Sequence, residues 1–218
     1  MSTIKSRFNW LAALLICMLV AACAVTDNAK ANKPVALFDG KTFNGWEGDT
    51  KKSFRIEDGA IVGGSMKERI PRNEFLCTTR QYTNFVLRLK FKLLGEGANA
   101  GVQIRTQRIP NHHEVIGYQA DMGGPKWWGC LYDESRRKKV LAQSDTEAVN
   151  KVLKVNDWNE YEIRCEGKRV RLAINGLQTV DYTEPDDAIP QFGVIAVQIH
   201  SGPPSEAWYK DIVIQELP

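Results

Sequence analysis

The chain has 218 residues, with 29 Lys and Arg against 26 Asp and Glu and a formal charge of +3. So near a balance gives no electrostatic footprint for a nucleic-acid partner. Five cysteines in a chain of this length do not make a disulfide framework.

In chain order, Lys5 and Arg7 precede an apolar run, Leu11 to Val20, that closes on Val20-Ala21-Ala22-Cys23. The run is too short for a hydrocarbon core, which takes roughly 20 apolar residues as helix. Small residues immediately before a cysteine resemble the lipobox of bacterial lipoproteins, where Cys23 becomes the lipidated first residue. The alternative is an ordinary secretory signal cut after Ala22. Residues 1–22 therefore read as a signal, 23–34 as a polar tether and 35–218 as one folded domain. The expected place is the cell envelope, facing the periplasm or on the outer membrane of a bacterium, with the membrane as partner through Cys23. Loss of residues 1–22 removes Lys5 and Arg7 and no acid, so the mature charge is +1.

The domain reads as mostly strand. Phe54–Ile56 and Ala60–Val62 flank Asp58-Gly59, a hairpin signal. Phe85, Leu87, Leu89, Phe91 and Leu93 alternate with Arg88, Lys90 and Lys92. Val170–Ile174 and Thr179–Tyr182 flank Asn175-Gly176, which suits a type I′ turn with positive φ at both centres. Further strands are expected at 75–79, 100–106, 115–121, 129–133, 160–166, 192–200 and 208–216, with one or two helical turns at 145–153. Many short strands between turn residues indicate an all-β antiparallel sandwich.

Three strands carry polar residues where a core would not want them. Gln103 and Arg105 oppose Val102 and Ile104; Gln119 and Asp121 share a face; Gln198 and His200 oppose Ile195, Val197 and Ile199. Gathered on one concave sheet, they would make a ligand-binding face. Cys165 shares an apolar face with Tyr161 and Ile163 and reads as core. If a bridge forms, Cys77–Cys130 is the expected pair. Arg136-Arg137-Lys138-Lys139 lies beside Asp133 and Glu134, as a solvated or salt-bridged turn or an anion site.

Leu37-Phe-Asp-Gly-Lys-Thr-Phe-Asn-Gly-Trp46, Ala98-Asn-Ala-Gly-Val-Gln-Ile-Arg105, Gly117-Tyr-Gln-Ala-Asp121, Asp157-Trp-Asn-Glu-Tyr-Glu-Ile163, Ile174-Asn-Gly176, Val197-Gln-Ile-His200 and Tyr209-Lys-Asp-Ile212 follow one another in a specific order. Together they resemble the 3-keto-disaccharide hydrolase domain family, over about residues 35 to 217. The resemblance implies a jelly-roll sandwich of the concanavalin A-like lectin and glucanase type, with the ligand on the concave sheet. It also implies action on glycosides already oxidised to a ketone at C3. Trp127-Trp-Gly-Cys-Leu-Tyr-Asp-Glu-Ser-Arg-Arg137 looks like a subgroup signature. Family members more often carry Glu where this chain has Gln119, which leaves Asp121 as the carboxylate of that strand.

A ketone at C3 makes H2 acidic, so a base can remove it and expel the C1 substituent, and water can then add. The expected catalytic pair is Asp121 and His200, either of them the base. Arg105 and Gln198 are expected to hold the enolate or sugar hydroxyls, with Gln103 and Gln119 on the same carbohydrate-binding face. Trp127 and Trp128 follow Gly123-Gly124-Pro125, and one of them is expected to stack on a sugar ring. Asp133, Glu134 and Arg136 are expected at the rim of the same loop, and Glu206 beyond the 201–205 bend turning back to the site. Trp46, Trp158 and Trp208 read as core. A divalent metal ion is a candidate cofactor, with His113 and Glu114, beside His112, as candidate ligands or a hydrogen-bonded loop cap.

The competing readings are a non-catalytic carbohydrate-binding, lectin-like module and a surface adhesion protein. A retaining glycosidase of laminarinase type fits poorly, because Glu160-Tyr-Glu162 lacks the intervening Asp and the third acid.

Overall fold

A computed structural model describes residues 32–218. The expected signal, the anchor at Cys23 and most of the tether lie outside the described residues. The elements are β1 (Val35–Ala36), β2 (Trp46–Glu47), β3 (Phe54–Glu57), β4 (Ala60–Ser65), β5 (Glu74–Tyr82), β6 (Phe85–Leu94), β7 (Asn99–Arg108) and β8 (Val115–Gly123). They continue with β9 (Leu131–Glu134), β10 (Val140–Ala142), α1 (Thr146–Val152), β11 (Asn159–Glu166), β12 (Arg169–Ile174), β13 (Leu177–Thr183), β14 (Gly193–Ile199) and β15 (Ser205–Glu216).

The strands form two antiparallel sheets. The first has the order β13-β12-β11-β6-β15-β4-β3, with β1 also on β15; the second has the order β10-β9-β8-β7-β14-β5-β2. The all-β sandwich is as the sequence indicates. Both two-residue hairpins form, with positive φ at Asp58 (49°) and Gly59 (72°) and at Asn175 (49°) and Gly176 (83°). Those mirror-image turns match the right-handed twist of the flanking strands. Asp145 caps α1, its side chain accepting from the N–H groups of Glu147 and Ala148.

Period-two alternation decides what each face sees. Phe85, Leu87, Leu89, Phe91 and Leu93 of β6, with Tyr161, Ile163 and Cys165 of β11, meet Ala100, Val102, Ile104, Tyr118, Ala120, Met122, Ile195, Val197 and Ile199 of the second sheet. Each such aliphatic or aromatic side chain contributes roughly 1.5–3 kcal/mol by leaving water. Trp46 joins this core, as expected. Trp208 and Trp158 do not: they pack with Ala60 and Val62 on the outer face of the first sheet, under the Lys92 ammonium.

The Cys77–Cys130 pairing is corrected. Both thiols are free and buried, as is Cys165. Cys77 lies in β5 and Cys130 just before β9, with β8, β7 and β14 between those strands. Four strand spacings are about 19 Å, far beyond the ~7 Å that a bridge spans between Cα atoms.

Candidate functional site

The outer face of the second sheet carries the polar residues that alternation turns away from the core. Asp121 on β8 stands opposite Gly101 on β7, Gly101 opposite Gln198 on β14, and Gln198 opposite Phe75 on β5. These four make one crosswise row. The next row holds Tyr132, Gln119, Gln103, Ala196 and Cys77.

The amides and the carboxyl of these rows are closed off from water: Gln103 and Gln198 are 0% exposed, Gln119 2% and Asp121 3%. Gln103 Nε2 donates to Gln119 Oε1 at 2.5 Å, and Thr106 Oγ1 donates to Gln103 Oε1 at 3.0 Å. A Cβ on Gly101 would fall 2.6 Å from Cγ and Cδ of Gln119, so the Gln119 side chain lies over a residue that has none. Gln198 differs from its neighbours, because neither Nε2 nor Oε1 has a hydrogen-bond partner. A buried amide in that state costs about 1–3 kcal/mol for each unpaired group, and a bound ligand, an ordered water or a catalytic role is what accounts for such groups in native folds.

Burial pushes the Asp121 carboxyl up to about 8, although the Met122 N–H and the Gln119 amide partly offset it; the negative charge of Glu134 pushes the same way as burial. Glu134, facing outward beside Tyr132, is itself raised to about 7 by burial and by the charge of Glu114. Two carboxyls titrating near neutrality on one face are a signature of acid–base sites. His200 follows the end of β14 on the Gln198 side of the alternation. Its N–H donates to Asn99 O at 3.1 Å and its Nδ1 lies 2.7 Å from Ser201 O. Nδ1 must then be the donor, which leaves Nε2 free. Two strand spacings and two residues of rise separate His200 from Asp121, about 10 Å across and about 7 Å along.

Several expected site residues lie elsewhere. Arg105 sits at a bulge with φ 50°, where the β7–β8 register shifts between Ile104 and Gln107. The bulge swings its side chain off the polar face, into hydrogen bonds with Thr83 O (2.7 Å), Gly167 O (2.6 Å), Gln191 Oε1 (2.7 Å) and Asn84 Oδ1 (3.1 Å). Asp133 shares the inward parity of Leu131, opposite Tyr118. It pairs with Arg136 and Arg137; Arg137 also bonds Glu184, and the Arg136 guanidinium lies 4.7 Å from the Tyr118 ring centroid. The basic run is thus a salt-bridged turn, and Asp133 and Arg136 are not at the polar face. Trp128 stacks on Phe91, with centroids 6.2 Å apart, and lines a separate hollow beside Lys154 and Asn156. Trp127 instead meets Tyr132 edge-on at 6.0 Å, on the polar side. Glu206 turns to Arg55 and Trp208 Nε1 on the outer face of the first sheet.

His113 Nδ1 is 2.9 Å from Asn73 O, its ring stacks on His112, and Ser135 Oγ donates to Glu114 Oε2 at 3.3 Å. Among the described residues, no group of three His, Cys, Asp or Glu side chains is arranged to hold a metal ion. His113 and Glu114 alone do not fit the four or more ligands that a divalent ion takes.

Sequence reasoning missed Gly101, Tyr132 and Asn73. Asn73 joins the two histidine segments, since its Oδ1 accepts from Ser201 N–H and its carbonyl meets His113. A glycine inside an alternating strand signals close approach, and Tyr132 alternates with Glu134; both signals were available.

An antiparallel two-sheet sandwich with a buried polar row on one outer face defines a jelly-roll domain of lectin and glucanase type. The chain belongs to the 3-keto-alpha-glucoside-1,2-lyase-like domain family, whose model matches residues 33–215. That membership gives it a carbohydrate-acting role. Among solved structures it is similar to a provisionally named glycosyl hydrolase of Parabacteroides distasonis, at 19% identity and TM-score 0.66, over 87% of this chain and 100% of that one. It is also similar to a galectin-like protein of Bacillus subtilis, at 12% identity and TM-score 0.64, over 85% and 96%. A third is the carbohydrate-binding module CBM66 of Bacillus subtilis, at 13% identity and TM-score 0.59, over 77% and 93%. At these identities the likeness is one of fold. No curated protein matches the chain.

Proposed function

We propose that the domain cleaves the glycosidic bond of 3-keto-glycosides by β-elimination followed by addition of water. The observation that carries this reading is Asp121, a buried carboxyl pushed up to about 8, set one glycine away from an amide with both ends unpartnered. A base with an affinity for protons near that of the medium is what abstraction of a carbon acid needs.

Ionised Asp121 takes H2, and the electron pair moves onto the C3 oxygen. Gln198 Nε2 donates to that oxygen as its charge develops, while Oε1 accepts from a sugar hydroxyl. The enolate collapses to a C1=C2 double bond and expels the C1 oxygen, which takes a proton from a water hydrogen-bonded to His200 Nε2. The hydroxide so formed adds to C1, and Asp121 gives its proton back to C2. The products are the 3-keto sugar and the free alcohol. Gln119 positions the Asp121 carboxylate, Gln103 braces Gln119, and Trp127 with Tyr132 walls the ring on the far side.

Purified domain is incubated with a 3-keto-disaccharide and with its unoxidised parent, with and without chelator. Release of monosaccharide from the ketone alone is expected. Binding of both sugars without turnover would overturn the reading in favour of a lectin-like module. The reading also has the domain displayed on the cell envelope by a lipid at Cys23, supported by the small residues before it. A Cys23→Ser variant is then expected in the soluble fraction.

A further inference from the structure

On the polar face, β7 runs between the strands of Asp121 and Gln198 and turns Asn99, Gly101 and Gln103 outward beside them. Gly101 has no side chain, and Gln103 spends its amide on Gln119 (2.5 Å) and Thr106 (3.0 Å). Asn99 remains. It stands opposite Gly123, the next outward position after Asp121 on β8, and its carbonyl accepts the His200 N–H at 3.1 Å. Gly123, Asn99 and His200 thus form the row next to Asp121, Gly101 and Gln198. A Cβ on Gly123 would fall 2.7 Å from Asn99 Nδ2 and 3.2 Å from its Cγ, so the amide leans onto the Asp121 strand over a residue without a side chain. Gln119 leans the other way, from β8 over Gly101. An amide therefore lies on either side of the Asp121 carboxyl. Asn99 and His200 are half-buried where Gln103, Gln119, Asp121 and Gln198 are sealed, so their row is an open border of the site.

We propose that the Asn99 amide holds the C2 hydroxyl of the sugar and makes Asn99 a specificity-determining residue, selecting substrates with a free hydroxyl at C2. The inference rests on the proposed function and adds a contact to it. Proton abstraction puts H2 against Asp121, and the C3 oxygen is drawn along the same row to Gln198. The C2 hydroxyl is then directed off that row, toward Gln119 and Gln103 on one side or toward Asn99 on the other. The first two amides are sealed and bonded to each other. Asn99 is the half-buried one, and its carboxamide can donate to the hydroxyl oxygen or accept its proton. Holding the hydroxyl also fixes which way C2 presents its hydrogen, so the contact orients the carbon acid toward its base. A 2-deoxy sugar loses the hydrogen bond and that orientation together.

The test compares wild type with Asn99→Ala and Asn99→Ser on methyl 3-keto-glucoside and its 2-deoxy analogue. The reading is the ratio of kcat/KM for the first substrate over the second. Folded fraction cancels within each ratio, and the intrinsic reactivity of the two substrates cancels between proteins. The backbone bond from His200 to Asn99 O does not depend on the side chain replaced. The ratio is expected to fall about tenfold in Asn99→Ala, with Asn99→Ser, which keeps a shorter polar group, between the two. A wild-type ratio in both variants would overturn the Asn99 contact and leave the reaction standing. Wild-type enzyme that cleaves neither substrate would overturn the reaction and the contact with it.

Discussion

Asp121 and Gln198 lie in one crosswise row of the second sheet with only Gly101 between them, and both are sealed from solvent. A carboxyl that resists ionising and an amide with unmet hydrogen bonds are two unfavourable burials side by side. Folding alone gives no reason to keep both. The predictions follow from treating that cost as the mark of a working site.

Replacing Asp121 with Asn is expected to lower kcat about 10²- to 10⁴-fold on a 3-keto-glycoside. Wild-type activity should climb with pH toward a plateau above about 8, because the ionised form is the base. Loss of the rising limb in steady-state profiles of the variant is the check.

The same group sets a pH dependence of stability with the opposite slope. Its folded value, about 8, lies above the ordinary 3.8, so between those pH values the unfolded chain binds fewer protons than the native one. Stability from this group is therefore lost as pH rises from about 4 to about 8. Urea melts at pH 5 and pH 8 should show wild type weakening relative to Asp121→Asn, by on the order of a few kcal/mol.

The charge of Glu134 helps to hold the Asp121 carboxyl up. Glu134→Gln is expected to move the rising limb of the pH–rate profile to lower pH. An unshifted limb would show that burial alone sets the Asp121 value.

Gln198→Leu removes two unpartnered polar atoms and fills the space with carbon. Thermal stability should hold or rise, by about 1–3 kcal/mol, while kcat falls about 10²- to 10³-fold with the oxyanion donor gone. Heat and activity measured on one preparation separate this from simple unfolding.

Arg105 gives the converse. Arg105→Ala strips the partners from Thr83, Gly167, Gln191 and Asn84 and should cost about 3 kcal/mol or more in a chemical melt. Turnover per folded molecule should stay within about twofold of wild type.

Alternation made much of this legible in advance. The β6 and β11 faces, both glycine hairpins, α1 and the outward set Gln103, Gln119, Asp121 and Gln198 follow from period-two and capping patterns that act over a few residues. Arg105 escaped because a single positive-φ residue shifts the register, and no local pattern announces a bulge at Arg. Asp133 and Arg136 escaped for another reason: Asp133 also pairs with Arg137, whose other partner, Glu184, comes from a distant segment that only the closed sandwich brings near. The cysteine pairing failed on strand order, which the sequence of turns does not encode.

Cys77, Cys130 and Cys165 are each buried as thiols, with burial pushing Cys77 to about 11 and Cys165 to about 12. Protonated and shielded, they offer no nucleophile to oxidants or alkylating agents until the sheets part. Among the described residues, then, reaching the native state calls for no oxidoreductase. The melting temperature should be indifferent to dithiothreitol, and thiol labelling becomes a direct clock for unfolding.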